Sequence, residues 1–286
     1  MEIPNKINKF VRYTKKPSTM KFGYYYQMMV TLPFSKENKR MVRVWLPEDY
    51  DFSNPNKRFP VIYMADGQNL VDRHLSAFGE WEFDKVTHRN LKEGHRSCIA
   101  VGIDCPKDPM ERVKELCPPY KPKKSLTKGK EVGKAYADEY IDYVANELKP
   151  LIDKLFFTLS DRDNTGIGGS SMGGIMSFFA FFYRRESFGF ALPFSIPGFF
   201  YSQKRWEELL YLWGSEQNDS RKMAIYVGGT GYEKRFVKGS GFLVDCLHQQ
   251  GYGEDRLLYL TDPTQNHNEV AWHQYAEPAF RFLLKD

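Results

Sequence analysis

The sequence predicts an α/β fold: a mostly parallel central sheet of about eight strands, an N-terminal antiparallel hairpin, and helices on both faces. Apolar runs of strand length alternate with segments of helical spacing through most of the chain. Some runs, such as residues 59–65 and 98–103, are apolar throughout, which is typical of parallel strands covered on both faces. No repeat or linker-like composition interrupts the pattern, so we expect a single domain over residues 1–286.

The bulk composition excludes several classes of protein. The chain is 42% hydrophobic and 16% aromatic, which is ample for a packed core, and 41 basic residues nearly balance 36 acidic ones. A net charge of +5 is too small to indicate nucleic-acid binding. The four scattered cysteines form no C-x-x-C pair, so we expect neither a metal site nor a cofactor. No run has the length of a membrane span and the N-terminus lacks a signal-peptide pattern, so we expect a soluble, cytoplasmic protein whose partner is a small molecule. The sequence is compatible with a homo-oligomer.

The predicted hairpin lies near the N-terminus. Residues 21–32 alternate between apolar and other side chains, as a half-buried strand does. A polar turn at 35–39 leads to a second strand over 40–46, which Pro47 ends. We expect this antiparallel pair at the edge of the sheet.

The central strand over 59–65 leads directly into a polar turn over 66–72, at the end of a strand where α/β folds bind ligands. A helix over 81–91 and a strand over 98–103 follow. Residues 104–133 are rich in proline and basic side chains and have no regular period. A loop of this length inside a domain is usually functional, and we expect it to form a partial lid.

The second half continues the alternation. Apolar residues spaced by three and four over 136–155 predict a core helix that Pro150 kinks or ends. The remaining predicted elements are a strand at 164–168, a helix at 175–183, a strand at 190–194, a helix at 201–213, a strand at 223–227, a helix at 240–250, a strand at 257–260 and a helix at 269–284.

A nucleophile is predicted at the strand-to-helix junction that begins at Thr165. The motif G-x-S-x-G occurs there in one frame only, formed by Gly169, Ser171 and Gly173. Glycine on either side of the serine lets a sharp turn close and leaves the hydroxyl exposed above the sheet. Because a strand is predicted before the motif and a helix after it, we interpret Ser171 as a nucleophile rather than as part of a Gly/Ser loop.

A serine nucleophile needs a base, normally histidine. In enzymes with this motif the chain order is serine, acid, histidine, which leaves His248, His267 and His273. His248 falls within a predicted helix and His273 lies inside the closing helix. We therefore predict that His267, in the loop between the last strand and the last helix, is the base.

The acid should follow the strand over 223–227. Glu233 is the carboxylate in the loop that comes next, and it is our candidate. Asp245, on the following helix, and Asp262, near the histidine loop, remain alternatives. A surface ion pair is the other interpretation of Glu233.

The remaining candidate residues surround these three. Backbone N–H groups of Met172 and Gln68 are the expected donors to an oxyanion. Candidate substrate-binding residues are Asp66, in the turn after the central strand, and the aromatic side chains of Trp81, Phe199 and Trp272. Aromatic residues at this frequency are more often core.

Several motifs in the same order resemble the "putative esterase" family, which includes esterase D-like enzymes, feruloyl and acetyl-xylan esterases and enterochelin esterases. The similar segments are residues 63–70, 79–81, 101–103, 147–150, 168–174 and 267–272. The resemblance implies an α/β-hydrolase fold, a serine nucleophile at Ser171 and a base at His267. Relatives often have His where Ala65 stands and Phe where Val71 stands, and their acid is offset by about one residue from Glu233.

These observations predict a serine hydrolase that cleaves carboxylic esters through an acyl-enzyme. By family analogy the natural substrates are acylated sugars or phenolic esters. The alternatives are an acyltransferase of the same fold, a siderophore trilactone esterase, and a binding protein without catalytic activity.

Overall fold

The computed structural model describes residues 3–120, 134–213 and 220–284. Within these residues one ten-stranded sheet runs through the molecule. Its strands are β1 Lys6–Ile7, β2 Phe10–Arg12, β3 Tyr24–Thr31, β4 Lys39–Leu46, β5 Val61–Ala65, β6 Ile99–Ile103, β7 Thr165–Ser170, β8 Phe190–Phe194, β9 Lys222–Gly228 and β10 Leu257–Asp262. Their order across the sheet is β1-β2-β3-β4-β6-β5-β7-β8-β9-β10. Strands β5 to β10 are parallel to one another, strands β1 to β4 pair antiparallel, and β4 joins the two parts by pairing antiparallel with β6.

The described helices are α1 Phe83–Lys92, α2 Pro109–Leu116, α3 Ala137–Tyr143, α4 Lys149–Leu155, α5 Met172–Tyr183, α6 Gln203–Trp213, α7 Lys234–Gln249 and α8 Glu269–Leu283. A π-helical turn, Val144–Leu148, joins α3 to α4, so the predicted helix is continuous but distorted. Pro150 lies just after this turn and provides no backbone donor, as the sequence indicated. Among these helices and the other described residues, no helix is long and apolar enough to cross a membrane.

The sheet separates two apolar layers. Along β5, Val61 and Tyr63 point into one layer while Ile62 and Met64 point into the other, the period-two alternation of a strand buried on both faces. The first layer is filled mainly by α5, whose residues from Met172 to Phe182 are all buried. The second layer is covered by α1 and α8, which contact each other. The predicted α/β architecture with helices on both faces is confirmed.

The N-terminal hairpin forms as predicted, but it is not the edge of the sheet. Two short strands, β1 and β2, continue the sheet beyond β3, so it has ten strands rather than about eight. These strands could not be predicted from the sequence, because two or three residues are too few to show the period-two alternation of a strand. They belong to the fold because Phe10 is fully buried against Phe156, with ring centres 5.6 Å apart.

The segment predicted as an irregular loop over 104–133 contains helix α2. Asp108 caps this helix by accepting a hydrogen bond from the Met110 N–H, and Pro109 occupies its first turn. Two of its three buried residues, Glu111 and Glu115, are charged and only Leu116 is apolar, so the helix has no apolar stripe that the sequence could show. Residues 121–133 of the predicted lid lie outside the described residues.

Helix α7 begins six residues earlier than predicted, at Lys234. Gly239 interrupts the apolar spacing there, but the glycine has a packing role. A Cβ atom on Gly239 would lie 2.8 Å from the Cα of Gly198, so the helix can approach the turn after β8 only without a side chain. This close approach brings α7 alongside the carboxyl ends of the strands.

Candidate active site

The nucleophile candidate lies at a strained turn. Ser171 stands between β7 and α5 with φ 58° and ψ −117°, backbone angles that L-residues rarely adopt and that cost on the order of 1–3 kcal/mol. Its N–H donates to the carbonyl oxygen of Phe194, 3.0 Å away, which ties the turn to β8. The structure thus has the sharp strand-to-helix turn that the motif predicts.

Steric contacts explain why glycine occupies the positions around Ser171. A Cβ on Gly169, whose φ is +159°, would lie 2.9 Å from the backbone of Gly173. A Cβ on Gly173 would lie 2.9 Å from the Cβ of Ala65, and one on Gly174 would lie 2.3 Å from the carbonyl oxygen of Phe194. Each distance is below normal carbon contact, so this turn closes only with glycine at these positions.

His267 and Glu233 are brought together from two loops. His267 Nδ1 and Glu233 Oε2 form a hydrogen bond, and the Glu233 side chain is completely buried. The side-chain oxygen of Asn266 accepts hydrogen bonds from the N–H groups of His267, at 2.8 Å, and Tyr232, at 3.2 Å. The two loops, which follow β10 and β9, are therefore locked to each other at the edge of the sheet where Ser171 lies.

The environment of Glu233 includes a residue that the sequence analysis did not single out. Ser195 follows β8 with φ 51°, and its hydroxyl donates to Glu233 Oε1. The same hydroxyl accepts a hydrogen bond from Trp272 Nε1 at 2.8 Å, and the Gly228 N–H donates to Glu233 Oε1 at 3.1 Å. The one sequence signal for Ser195 is a polar residue directly after a buried strand.

The competing histidines and acids lie elsewhere. His248 bonds a backbone carbonyl at the end of α7, and burial lowers the pKa of His273 on α8. Asp245 is exposed on α7, and Asp262 bonds the Tyr275 hydroxyl. Across the described residues, no three His, Cys, Asp or Glu side chains are placed to hold a metal ion.

The turn after β5 carries the predicted oxyanion donor Gln68. It begins at Asp66, which has a left-handed conformation with φ 57°, and continues as a single 3₁₀ turn over Gly67–Asn69. The Gln68 side chain bridges to Cys105, accepting from its N–H at 2.9 Å. On the other side of the turn at Ser171, Met172 is the first residue of α5, so its N–H has no acceptor within the helix.

Asp66, predicted to contact substrate, has a protein partner. Arg112 of α2 holds its carboxylate through Nε at 2.7 Å and Nη2 at 2.6 Å. This arginine could not be identified from the sequence, because it lies 46 residues away from Asp66 in a segment without periodicity. The pair links α2 to the start of the turn that carries Gln68.

A second link joins that turn to the histidine loop. Asn69 Nδ2 donates to Glu269 Oε1 at 2.9 Å, and Glu269 is the first residue of α8, two residues after His267. Burial raises the pKa of the Glu269 carboxyl, and the nearby Asp66 carboxylate adds to the effect. Nothing in the local sequence marks the pair, which is 200 residues apart.

The three predicted aromatic contacts differ in exposure. Trp81 and Trp272 are 1% and 4% exposed and stack on each other with ring centres 5.9 Å apart, so they are core and offer a substrate little surface. Phe199 is partly exposed and lies near Phe236, which stacks on the His267 ring at 4.5 Å. Of the three, Phe199 has a surface that a substrate could reach.

Comparison with known proteins identifies the family. The sequence profile described as "Putative esterase" matches residues 35–281. A relative, the uncharacterised protein YbbA of Bacillus subtilis (strain 168), is 23% identical over 257 residues, covering 87% of this chain and 92% of YbbA. The profile match spans most of the chain and agrees with the resemblance found in the motifs.

Two solved structures are similar over nearly their whole length. The BES protein from Bacillus cereus has a TM-score of 0.71 and 19% identity, covering 96% of this chain and 99% of that chain. The feruloyl esterase module from Clostridium thermocellum, complexed with sinapinate, has a TM-score of 0.66 and 14% identity, covering 97% and 95%. At such identities these structures show a shared fold. The profile match makes the present chain a member of the putative esterase family, carboxylic ester hydrolases with the α/β-hydrolase fold.

Proposed function

We propose that the protein hydrolyses carboxylic esters by a serine mechanism with Ser171 as nucleophile, His267 as base and Glu233 as acid. The observation that carries the proposal is the hydrogen bond between His267 Nδ1 and the buried Glu233 carboxylate. The loops that bear them follow the parallel strands β10 and β9, and Ser171 follows β7, so all three lie at one edge of the sheet.

In the first half of the reaction, Ser171 Oγ attacks the acyl carbon while His267 Nε2 takes its proton. The N–H groups of Gln68 and Met172 donate to the oxyanion that forms on the carbonyl oxygen. His267 then gives the proton to the leaving alkoxide oxygen, and an alcohol departs from the acyl-enzyme. In the second half, water attacks the acyl carbon with His267 again as base, and the acid leaves as Ser171 regains its proton.

Glu233 sets the orientation of the base. By accepting from Nδ1 it keeps the proton on that nitrogen and leaves Nε2 free to accept from Ser171. Ser195 and Gly228 donate to the other carboxylate oxygen, so the carboxylate cannot turn away from the imidazole. A carboxylate buried with all of these donors stabilises the imidazolium without becoming the proton acceptor.

For the substrate class we favour phenolic esters or acylated sugars. The similar feruloyl esterase module is complexed with sinapinate, an aromatic acid. On this chain, the partly exposed Phe199 and the 51% exposed Tyr232 provide aromatic surface beside His267 on which a planar ring could stack.

The test compares initial rates on p-nitrophenyl acetate and butyrate for wild type, Ser171→Ala and His267→Ala. His248→Ala is the matched control, because it removes a histidine that lies away from the turn at Ser171. We expect kcat to fall by about 10⁵–10⁶-fold in the first two variants and to stay within two-fold in the control. A Ser171→Ala variant with wild-type activity would refute the mechanism. The kcat/KM values for feruloylated and acetylated sugars then show which substrate class is preferred. Transfer of the acyl group to an added alcohol would reveal acyltransferase activity.

A further inference from the structure

An arginine is held between aromatic rings beside the candidate base. The guanidinium carbon of Arg235 lies 4.9 Å from the ring centre of Phe199 and 5.0 Å from that of Tyr232. At these distances the positive charge is attracted by the π-electrons of both rings. Among the described residues, Arg235 donates no hydrogen bond, and the N–H groups of a guanidinium form a fork that matches the two oxygens of a carboxylate.

The surface around this arginine is positive. Within the part of the chain that the structure describes, no carboxylate forms an ion pair with Arg235. Lys234 and Lys238 are exposed on the same helix, and the acid next to them, Glu233, is buried and bonded to His267. Cations at the start of a helix are disfavoured by its dipole, so the stability of α7 does not explain this charge.

The positive group lies on the wall of the candidate site. Tyr232 meets the His267 ring edge to face at 5.4 Å, so one aromatic ring separates Arg235 from the imidazole. In the proposed mechanism His267 delivers a proton to the leaving oxygen, which requires the departing alcohol to pass close to this ring. A group on that alcohol, one ring length from the ester oxygen, would reach the guanidinium.

We propose that Arg235, held by Phe199 and Tyr232, binds a carboxylate on the alcohol part of the ester, so that the preferred substrates are esters of anionic alcohols or phenols. This assignment rests on the proposed function for the identity of the reaction. It adds a substrate class that neutral acylated sugars do not share.

The experiment uses two esters that differ only in charge, 3-acetoxybenzoate and 3-acetoxybenzamide. We expect wild type to prefer the anion by about five-fold in kcat/KM, chiefly through KM, as is typical of a partly exposed ion pair. Arg235→Met should abolish the preference, and Arg235→Lys should restore part of it. Arg12→Met is the control, because Arg12 also lies over a ring, Tyr24 at 6.0 Å, near the opposite edge of the sheet.

Binding of the products separates this assignment from the proposed mechanism. Calorimetry with 3-hydroxybenzoate and 3-hydroxybenzamide needs no catalysis and is run on the Ser171→Ala variant with and without Arg235→Met. We expect 3-hydroxybenzoate to bind about five-fold more weakly once Arg235 is replaced, with the benzamide unaffected. Equal affinity for 3-hydroxybenzoate in both proteins, or an anion preference that survives in Arg235→Met, would overturn the assignment. If the wild-type protein hydrolysed neither ester, the proposed function would instead be refuted.

Discussion

Replacing Glu233 by glutamine tests the candidate triad most directly, because the structure dictates how the new amide must lie. On the Oε1 side, the Gly228 N–H can only donate, and the Ser195 hydroxyl, which accepts from Trp272, donates its own proton to Oε1. The glutamine oxygen must therefore occupy that side. Its NH₂ group then faces His267 Nδ1, which must become an acceptor, and the imidazole proton moves to Nε2.

This tautomer cannot take the proton of Ser171. In a serine protease, the equivalent carboxylate-to-amide change lowers kcat by about 10⁴-fold. At about 1.4 kcal/mol for each factor of ten, the transition state loses about 5–6 kcal/mol of stabilisation. We expect a loss of this size for Glu233→Gln, with a much smaller change in KM because the substrate does not contact the carboxylate.

The assay is p-nitrophenyl acetate hydrolysis under saturating conditions, with near-ultraviolet circular dichroism to establish that the variant is folded. Asp262→Asn and Asp245→Asn are the matched controls, since both replace the alternative acids by amides, and both should keep kcat within about two-fold. A folded Glu233→Gln protein that retains more than a tenth of the wild-type kcat would refute the reasoning. So would a large loss in either control.

Three further predictions concern the turns that surround the candidate triad. Gly173→Ala places a Cβ 2.9 Å from that of Ala65 and should cost about 1–3 kcal/mol in urea unfolding and at least ten-fold in kcat; wild-type values would contradict the steric argument. Arg112→Met leaves the buried Asp66 carboxylate without its cation and should destabilise by about 2 kcal/mol, part of which an added Asp66→Asn restores; no recovery would argue against the ion pair. For Glu269, burial raises the pKa in the folded protein above the unfolded value of about 4.5. Between these two pKa values the folded state keeps a proton that the unfolded chain has lost, so the contribution of Glu269 to stability falls as the pH rises from the unfolded to the folded pKa. Glu269→Gln should therefore gain stability relative to wild type as pH rises from 4.5, and a difference independent of pH would contradict the raised pKa.

The elements predicted from sequence are those whose own residues carry the signal. The apolar strands β5 and β6 and the strand, glycine turn and helix around Ser171 were predicted within a few residues of their observed bounds. Helix α2 was missed because two of its three buried side chains, Glu111 and Glu115, are polar and depend on partners far along the chain. Glu111 bonds Tyr136 and Glu115 bonds Arg40, and neither pairing is visible in a local window.

The sequence alone determined the chemistry available in this protein. It placed a serine in a glycine turn between a strand and a helix and a histidine in the last loop, and it reduced the acids to three. The tertiary structure decided which of these groups meet: it brought Glu233 rather than Asp245 or Asp262 to His267 and surrounded it with donors. It also revealed that Arg112 and Glu269 bond the turn after β5, which carries the candidate donor Gln68. The reason is physical, since a hydrogen bond depends on distances and directions between side chains that are tens to hundreds of residues apart, and these follow from how the whole sheet packs.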